Sequence, residues 1–151
     1  MRIFLAGIMQ GSHVSSVLHE QNYRTRLRIA LEKFLPEYET YDPLEFHANS
    51  LGYENSKGRE VFLHHNQMCQ NVDILLACLP EASMGTAIEM WEAWRHDKLV
   101  ISISPMKHNW AVKFLSHILY ERENDFIEAL EDGSLRQRLV QLGAPLEGDS
   151  A

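Results

Sequence analysis

The residue with the clearest potential for chemistry is Glu89, which closes the segment Ser83-Met84-Gly85-Thr86-Ala87-Ile88-Glu89. Ser83 is a suitable N-cap for a helix, and Glu89 would then lie in the second turn, beyond the positions where the helix dipole favours an acid. Helical side chains lean towards the N-terminus, so the carboxylate would lie over Thr86 and Gly85, which are small. It would therefore have open space around it and look out towards a ligand. The alternative is a solvated acid on a surface helix.

The elements that must position this helix are short apolar runs alternating with helical stripes. Unbroken apolar runs of this length are typical of strands buried on both faces. The predicted strands are Ile3 to Ala6, Tyr38 to Tyr41, Asp73 to Leu79, Leu99 to Ser104 and Ser116 to Glu121. Between them, one helical stripe runs from Tyr23 to Phe34 and another contains Val61, His65, Met68 and Val72. The alternation predicts an α/β fold, a doubly wound five-stranded parallel sheet of the flavodoxin or Rossmann type with helices on both faces.

The length and the net charge of the chain limit the classes of function that it can have. With 151 residues, the chain is predicted to form one domain over residues 1–143, followed by a flexible polar tail over residues 144–151. The formal net charge of −7 argues against a nucleic-acid polymer or an anionic membrane surface as partner, because both attract an excess of cations. A small molecule is the better expectation. Asp125 to Leu130 and Ser134 to Leu142 are predicted to form two helices separated by Gly133.

The cysteines and histidines give no sign of a disulfide framework or a metal site. Two cysteines, Cys69 and Cys78, fit a reduced cytoplasmic compartment, and the apolar start of the chain lacks a cleavage pattern for a signal peptide. His64 and His65 are adjacent, so on a helix they would point about 100° apart, which does not suit one metal ion. The loop from Gly7 to His13 lacks the glycine spacing of a dinucleotide or triphosphate cradle, and no cofactor is expected.

In a parallel α/β sheet, ligands bind beyond the carboxyl ends of the strands. The loops after Ala6, Tyr41, Leu79 and Ser104 should therefore surround the site. The second of these loops begins at Asp42-Pro43. These two residue types are also common in ordinary turns, which is the alternative interpretation of this loop.

Four segments together resemble the nucleoside 2-deoxyribosyltransferase superfamily, which also includes nucleotide N-glycosidases. They are Phe4-Leu5-Ala6-Gly7, the strand that begins at Asp73, Ser83 to Glu89, and Ser104-Pro105-Met106-Lys107-His108-Asn109-Trp110. The similarity covers roughly residues 2–121, and its most specific part is the small-residue turn followed by the glutamate.

The resemblance implies glycosyl transfer at the N-glycosidic bond, with Glu89 matching the family's catalytic glutamate. Its carboxylate would attack the anomeric carbon, expel the base and hold a covalent glycosyl-enzyme. Ser83 matches a position that contacts the sugar or its phosphate. Asn109 lies in a segment that reaches the neighbouring subunit's pocket in this family, which implies a homodimer or a higher homo-oligomer.

Two positions depart from the family pattern. Phe4 stands where the family has a tyrosine whose hydroxyl steadies the glutamate, and Tyr41 or His13 is a possible replacement. His65 stands where the family usually has a pocket aspartate, and it would orient Glu89 or protonate the departing base. A satisfied core histidine is the alternative. With Glu89 and His65 taken as catalytic, the residues predicted to contact substrate are Phe4, Gly7, Ser12, His13, Tyr41, Asp42, Ser83, Gly85 and Asn109.

Three functions remain open from the sequence. The first is a nucleoside 2-deoxyribosyltransferase or a nucleotide N-hydrolase of the same superfamily, and the second is a non-catalytic nucleotide-binding or sensing module. The third is a subunit whose helix with Trp91 and Trp94 assembles a larger complex. Possible anion contacts, which would favour a nucleotide over a nucleoside, are Ser12, His13, Arg24, Lys57 and Arg59.

Overall fold

A computed structural model describes residues 1–7 and 21–146 of the chain. The strands are β1 (Arg2–Gly7), β2 (Glu39–Tyr41), β3 (Ile74–Cys78), β4 (Leu99–Ile103) and β5 (Ile118–Tyr120). The helices are α1 (Asn22–Phe34), α2 (Pro43–Phe46), α3 (Asn55–Cys69), α4 (Met84–Trp94), α5 (Trp110–Leu115), α6 (Glu123–Glu131) and α7 (Ser134–Gln141), with a 3₁₀ turn at Ser50–Gly52.

The strands form one parallel sheet in the order β2-β1-β3-β4-β5. The chain leaves β1 for β2 on one side and then crosses back over β1 to β3, so the order reverses beside β1. This is the topological switch point at which open α/β sheets bind ligands. The predicted fold class, including five parallel strands with helices on both faces, is confirmed.

Side chains of β1 alternate between two cores. Ile3 and Leu5 pack with α1, α6 and α7, whereas Phe4 and Ala6 pack with α3, α4 and α5. The two helical layers therefore lie on opposite faces of the sheet. As a consequence, α3 and α4 are neighbours on one face of the sheet, and residues of both helices pack around β1.

Local sequence patterns predicted most of the helices and strands correctly. All five predicted strands are present, with ends that differ by one or two residues, and Ser83 is the N-cap of α4 as predicted. Gly133 separates α6 from α7 in a left-handed conformation, with φ of 78°. The second helical stripe is shorter than predicted, because α3 ends at Cys69 and Val72 lies beyond it. The short helices α2 and α5 were not predicted.

The predicted tail begins against the body of the protein. Ala144 is buried, and the hydroxyl group of Tyr38 donates a hydrogen bond to the carbonyl oxygen of Pro145. Residues 147–151 lie outside the described part of the chain. Among the described helices, none has both the length and the apolar character that a membrane crossing would require.

Candidate active site

A pocket of about 430 Å³ opens at the carboxyl end of β1. Its wall is formed by the end of β1, the start of α4, one face of α3 and the segment from Pro43 to Tyr53. The pocket therefore lies at the switch point of the sheet, where the fold alone predicts a ligand site.

Helix α4 delivers Glu89 to this pocket. Ser83 has an extended backbone, and its hydroxyl oxygen accepts a hydrogen bond from the backbone N–H of Thr86 at 3.3 Å, which starts the helix. Thr86, Met90 and Ala93 are buried and fix the rotation of α4 on the sheet. Glu89 is three residues after Thr86 and four before Ala93, so it lies at the edge of the buried stripe and reaches the cavity.

The carboxylate of Glu89 is poorly compensated. Among the described residues, none makes a hydrogen bond or an ion pair with it. Burial raises its pKa from the ordinary 4.5 to about 7, and the charge of Arg24 opposes this rise. A Cβ atom built on Gly85 would have no atom within 4 Å, so the space predicted at the start of the helix is present. Glu89 can therefore act on a bound molecule without first breaking a hydrogen bond.

His65, on α3, also lines the pocket. It is 8% exposed, and its Nε2 atom is 3.1 Å from the hydroxyl oxygen of Tyr41. Tyr41 is itself stacked between Phe4 and Phe46, with ring centroids 5.6 and 5.1 Å away. Burial and the neighbouring histidines His47 and His64 lower the pKa of His65 to about 4, so the imidazole is neutral at pH 7.

Arg24 supplies a buried positive charge to the pocket wall, but its guanidinium is already engaged. It forms an ion pair with Asp42 at 2.7 Å and donates hydrogen bonds to the backbone carbonyls of Leu5 and Gly7. Asp42 also accepts the N–H of Leu44 as the N-cap of α2. Because these partners satisfy both groups, they hold the rim together and leave little capacity for a ligand.

Five of the predicted site residues meet in the pocket wall: Gly7, His65, Ser83, Gly85 and Glu89. Ser12 and His13 lie in residues 8–20, outside the described part of the chain. The remaining four do not line the pocket, and their contacts explain why.

Phe4 is fully buried in the middle of β1, against the rings of Tyr41 and His65. Tyr41 turns its hydroxyl to His65, and Asp42 is committed to Arg24. Asn109 is exposed on the start of α5, where its Oδ1 atom accepts the N–H groups of Ala111 and Val112. Phe4, Tyr41, Asp42 and Asn109 therefore do not line this pocket, and their contact with a ligand stays a prediction, which for Asn109 concerns the pocket of the neighbouring subunit.

Beyond the predicted rim loop that follows Tyr41, few sequence signals mark the residues that complete the pocket. His47, Tyr53 and Phe62 line it, and the Nδ1 atom of His47 is 2.9 Å from the hydroxyl oxygen of Tyr53. The 3₁₀ turn between His47 and Tyr53 brings the two residues together, and no periodic pattern marks such a turn. No group of three or more His, Cys, Asp or Glu residues within the described ranges is arranged to hold a metal ion.

Comparison with solved structures gives the fold a family context. A 2-deoxyribosyltransferase from the psychrotolerant bacterium Bacillus psychrosaccharolyticus superposes with a TM-score of 0.63 at 18% identity, over 84% of this chain and 90% of that one. The chain has the fold of a nucleoside 2-deoxyribosyltransferase. The resemblance inferred from the sequence is thus confirmed at the level of fold.

Two further structures share this deoxyribosyltransferase-like fold. A conserved protein from Enterococcus faecalis V583 gives a TM-score of 0.62 at 18% identity, over 87% of this chain and 98% of that one. The solution structure of BlsM gives a TM-score of 0.63 at 15% identity, over 99% of this chain and 97% of that one. No protein-family model and no curated protein sequence matches this chain. Identities this low establish the architecture alone, so the activity must be argued from the pocket.

Proposed function

We propose that this protein transfers the sugar of a (deoxy)nucleoside or nucleoside 5′-monophosphate between bases, as a nucleoside 2-deoxyribosyltransferase, through a covalent ester on Glu89. The observation that carries the proposal is the Glu89 carboxylate, which faces the cavity without a hydrogen-bond partner among the described residues. Leaving a carboxylate uncompensated in a half-buried place costs folding energy, and such costs are concentrated at functional sites.

The reaction follows from the chemistry of that group. An Oε atom of Glu89 attacks the anomeric carbon, the bond between that carbon and the base nitrogen breaks, and the electron pair leaves with the base. Negative charge on Glu89 stabilises the electron-poor, oxocarbenium-like transition state. A second base then attacks the anomeric carbon through a ring nitrogen, loses its proton and releases the Glu89 carboxylate.

The other pocket residues would each contact a different part of the substrate. Ser83 and Gly85 belong to the start of α4, next to Glu89, and would contact the sugar. His65, with the aromatic side chains of Tyr53 and Phe62, forms the wall suited to a flat base. In this proposal, the bond to be broken would lie between Glu89 and His65.

A second candidate is a nucleotide N-hydrolase, in which water replaces the second base. The start of α4 favours it, because the N-terminus of a helix is suited to an anion such as a 5′-phosphate. Among the described residues that line the pocket, the guanidinium of Arg24 is the one cationic group that is always charged, and it is paired with Asp42. A phosphate would therefore depend on the helix N-terminus.

The test is a substrate panel with wild-type protein, Glu89→Gln and the surface control Glu60→Gln. The four deoxynucleosides, each with a free acceptor base, are compared with the 5′-monophosphates alone. We expect turnover by the wild type and the control, and a loss of at least about 10³-fold with Glu89→Gln. A new nucleoside identifies the transferase, and free sugar phosphate the hydrolase. Tight binding without turnover would instead support a sensing module.

We also propose that the protein is a homodimer that pairs through an aromatic face. Large apolar side chains are exposed on the layer formed by α3, α4 and α5, and an apolar surface of this kind marks an interaction site. This aromatic face consists of Phe62, Leu63, Met84, Ile88, Trp91, Trp94, Trp110 and Phe114. Trp91 and Trp94 stack on each other at 5.5 Å, and Trp110 is 76% exposed. Because Phe62 and Met84 also line the pocket, a partner seated there would help to close it.

Sedimentation of Trp110→Glu tests this interface, with Ile29→Glu on the opposite helical layer as the matched control. We expect a dimer for the wild type and the control, and a monomer for Trp110→Glu. A wild-type monomer at micromolar concentration would contradict the proposal.

The thiols of Cys69 and Cys78 are free and buried, which supports our expectation of a cytoplasmic enzyme.

A further inference from the structure

The hydrogen bond between Tyr41 and His65 links a residue outside the pocket to one that lines it. The ring of Tyr41 is held by Phe4 on one side and Phe46 on the other, and the interplanar angles of 25° and 10° show stacking. His65 stands edge-on to both Tyr41 and Phe4, at 5.9 and 6.1 Å. The position of the tyrosine hydroxyl is therefore fixed by packing, and the imidazole is fixed by the hydroxyl.

The direction of this bond follows from satisfying both groups. A phenol and a neutral imidazole nitrogen can each donate or accept. If Nε2 donated, the hydroxyl hydrogen of Tyr41 would have no acceptor among the described residues. If Tyr41 donates to Nε2, this one bond satisfies the hydroxyl hydrogen of Tyr41 and the lone pair on Nε2. The proton of the neutral imidazole then lies on Nδ1, for which the described residues provide no partner.

The charge state of His65 agrees with this geometry. The titratable groups around it are His47, His64 and Tyr41, with Glu89 lining the same pocket, and burial is the largest influence on its pKa. Because the pKa of His65 is lowered to about 4 and that of Glu89 is raised to about 7, a protonated histidine and an ionised glutamate seldom occur in the same molecule. A neutral imidazole is the form available for the reaction.

We propose that Tyr41 is a positioning residue, which holds His65 as a neutral Nδ1–H donor to the departing base. The inference rests on the proposed function and adds the mode of leaving-group stabilisation. Its consequence is a preference for bases that carry a hydrogen-bond acceptor next to the glycosidic nitrogen, on which the charge of the departing base is delocalised.

The step balances without a proton transfer from His65. As Glu89 bonds to the anomeric carbon, the base leaves as an anion with the electron pair of the broken bond, and the Nδ1–H group of His65 donates a hydrogen bond to it. The free base takes up a proton from water after release. His65 ends the step in the form in which it began.

Tyr41→Phe tests this role, because it keeps the stacked ring and removes only the hydroxyl. The best substrate of the nucleoside and nucleotide panel is compared with the 4-nitrophenyl glycoside of the same sugar, whose nitrophenolate leaves without help. We expect Tyr41→Phe to lower kcat for the natural substrate at least about tenfold, with KM changed less than about twofold, and to leave the nitrophenyl substrate unaffected. Tyr120→Phe, which lies against the opposite core, should change neither.

A second variant separates positioning from structure. Asparagine at position 65 carries an N–H donor near the place of Nδ1 and has no tautomer to set, so His65→Asn should retain partial activity and should make Tyr41→Phe neutral. Equal losses on both substrates, or additive losses in the double variant, would overturn the inference. Absence of wild-type turnover, or full activity in Glu89→Gln, would instead reject the proposed function.

Discussion

The raised pKa of Glu89 predicts that this residue destabilises the folded protein in a pH-dependent way. Below pH 4.5 the carboxyl group is protonated in both the folded and the unfolded chain, so it costs nothing. Between pH 4.5 and about 7 the unfolded chain releases the proton first, and the free energy of unfolding falls as pH rises. Above about pH 7, the ionised Glu89 lowers the free energy of unfolding by its full amount.

The size of the effect follows from the two pKa values. A rise from 4.5 to about 7 corresponds to about 3 kcal/mol at high pH, and to about 2.5 kcal/mol between pH 5 and pH 8. Because the side chain keeps some contact with the solvent in the pocket, we expect about 1 to 2.5 kcal/mol over this interval. Glu89→Gln keeps the shape of the side chain and removes the ionisation.

The assay is urea unfolding of the wild type, Glu89→Gln and Glu60→Gln at pH 5 and pH 8. We expect Glu89→Gln to gain stability over the wild type mainly at pH 8, equivalent to about 2 to 10 °C in Tm, while Glu60→Gln shows no such pH dependence. A stability difference that is the same at both pH values, within about 0.5 kcal/mol, would refute the reasoning that burial holds the pKa of Glu89 high.

Two more predictions concern the rim of the pocket. Arg24→Met should destabilise the protein by about 3 to 5 kcal/mol in urea unfolding, because it leaves Asp42 buried without its partner, whereas Arg28→Met, whose side chain on the same helix is 36% exposed, should cost less than about 1 kcal/mol. A loss below about 1 kcal/mol for Arg24→Met would contradict this account of the ion pair. Gly7→Ala should cost about 1 to 3 kcal/mol, since the new Cβ would overlap the hydroxyl of Tyr23, and Gly85→Ala, which enters open space, should leave Tm nearly unchanged. Equal Tm values for the two alanine variants would show that the contact at Gly7 is not restrictive.

Local rules account for the part of the structure that could be predicted from the sequence. Strands β1, β3 and β4 are buried apolar runs, and Ser83 caps α4 through a contact only three residues along the chain. Glu89 could be found because cap, small residues and acid lie on one helix, whose geometry is known in advance.

The rest of the site depends on contacts between distant segments. The pairing of Arg24 with Asp42 spans 18 residues, and that of Tyr41 with His65 spans 24. Phe4, which is predicted to contact substrate, lies in the core below the pocket as a result of strand alternation. The short helix α2 and the 3₁₀ turn, which bring His47 to the pocket, have too few residues for a periodic signal.

The central claim is that Glu89 forms a covalent bond to the anomeric carbon. The most direct measurement is peptide mass spectrometry after incubation with 2′-deoxy-2′-fluoro nucleosides and their 5′-monophosphates, because fluorine beside the anomeric carbon slows release of the sugar ester. The account predicts one fluorosugar on the peptide that contains Glu89 and none in Glu89→Gln. A sugar attached to a different residue, or turnover of these probes with no adduct on Glu89 at any time, would contradict it.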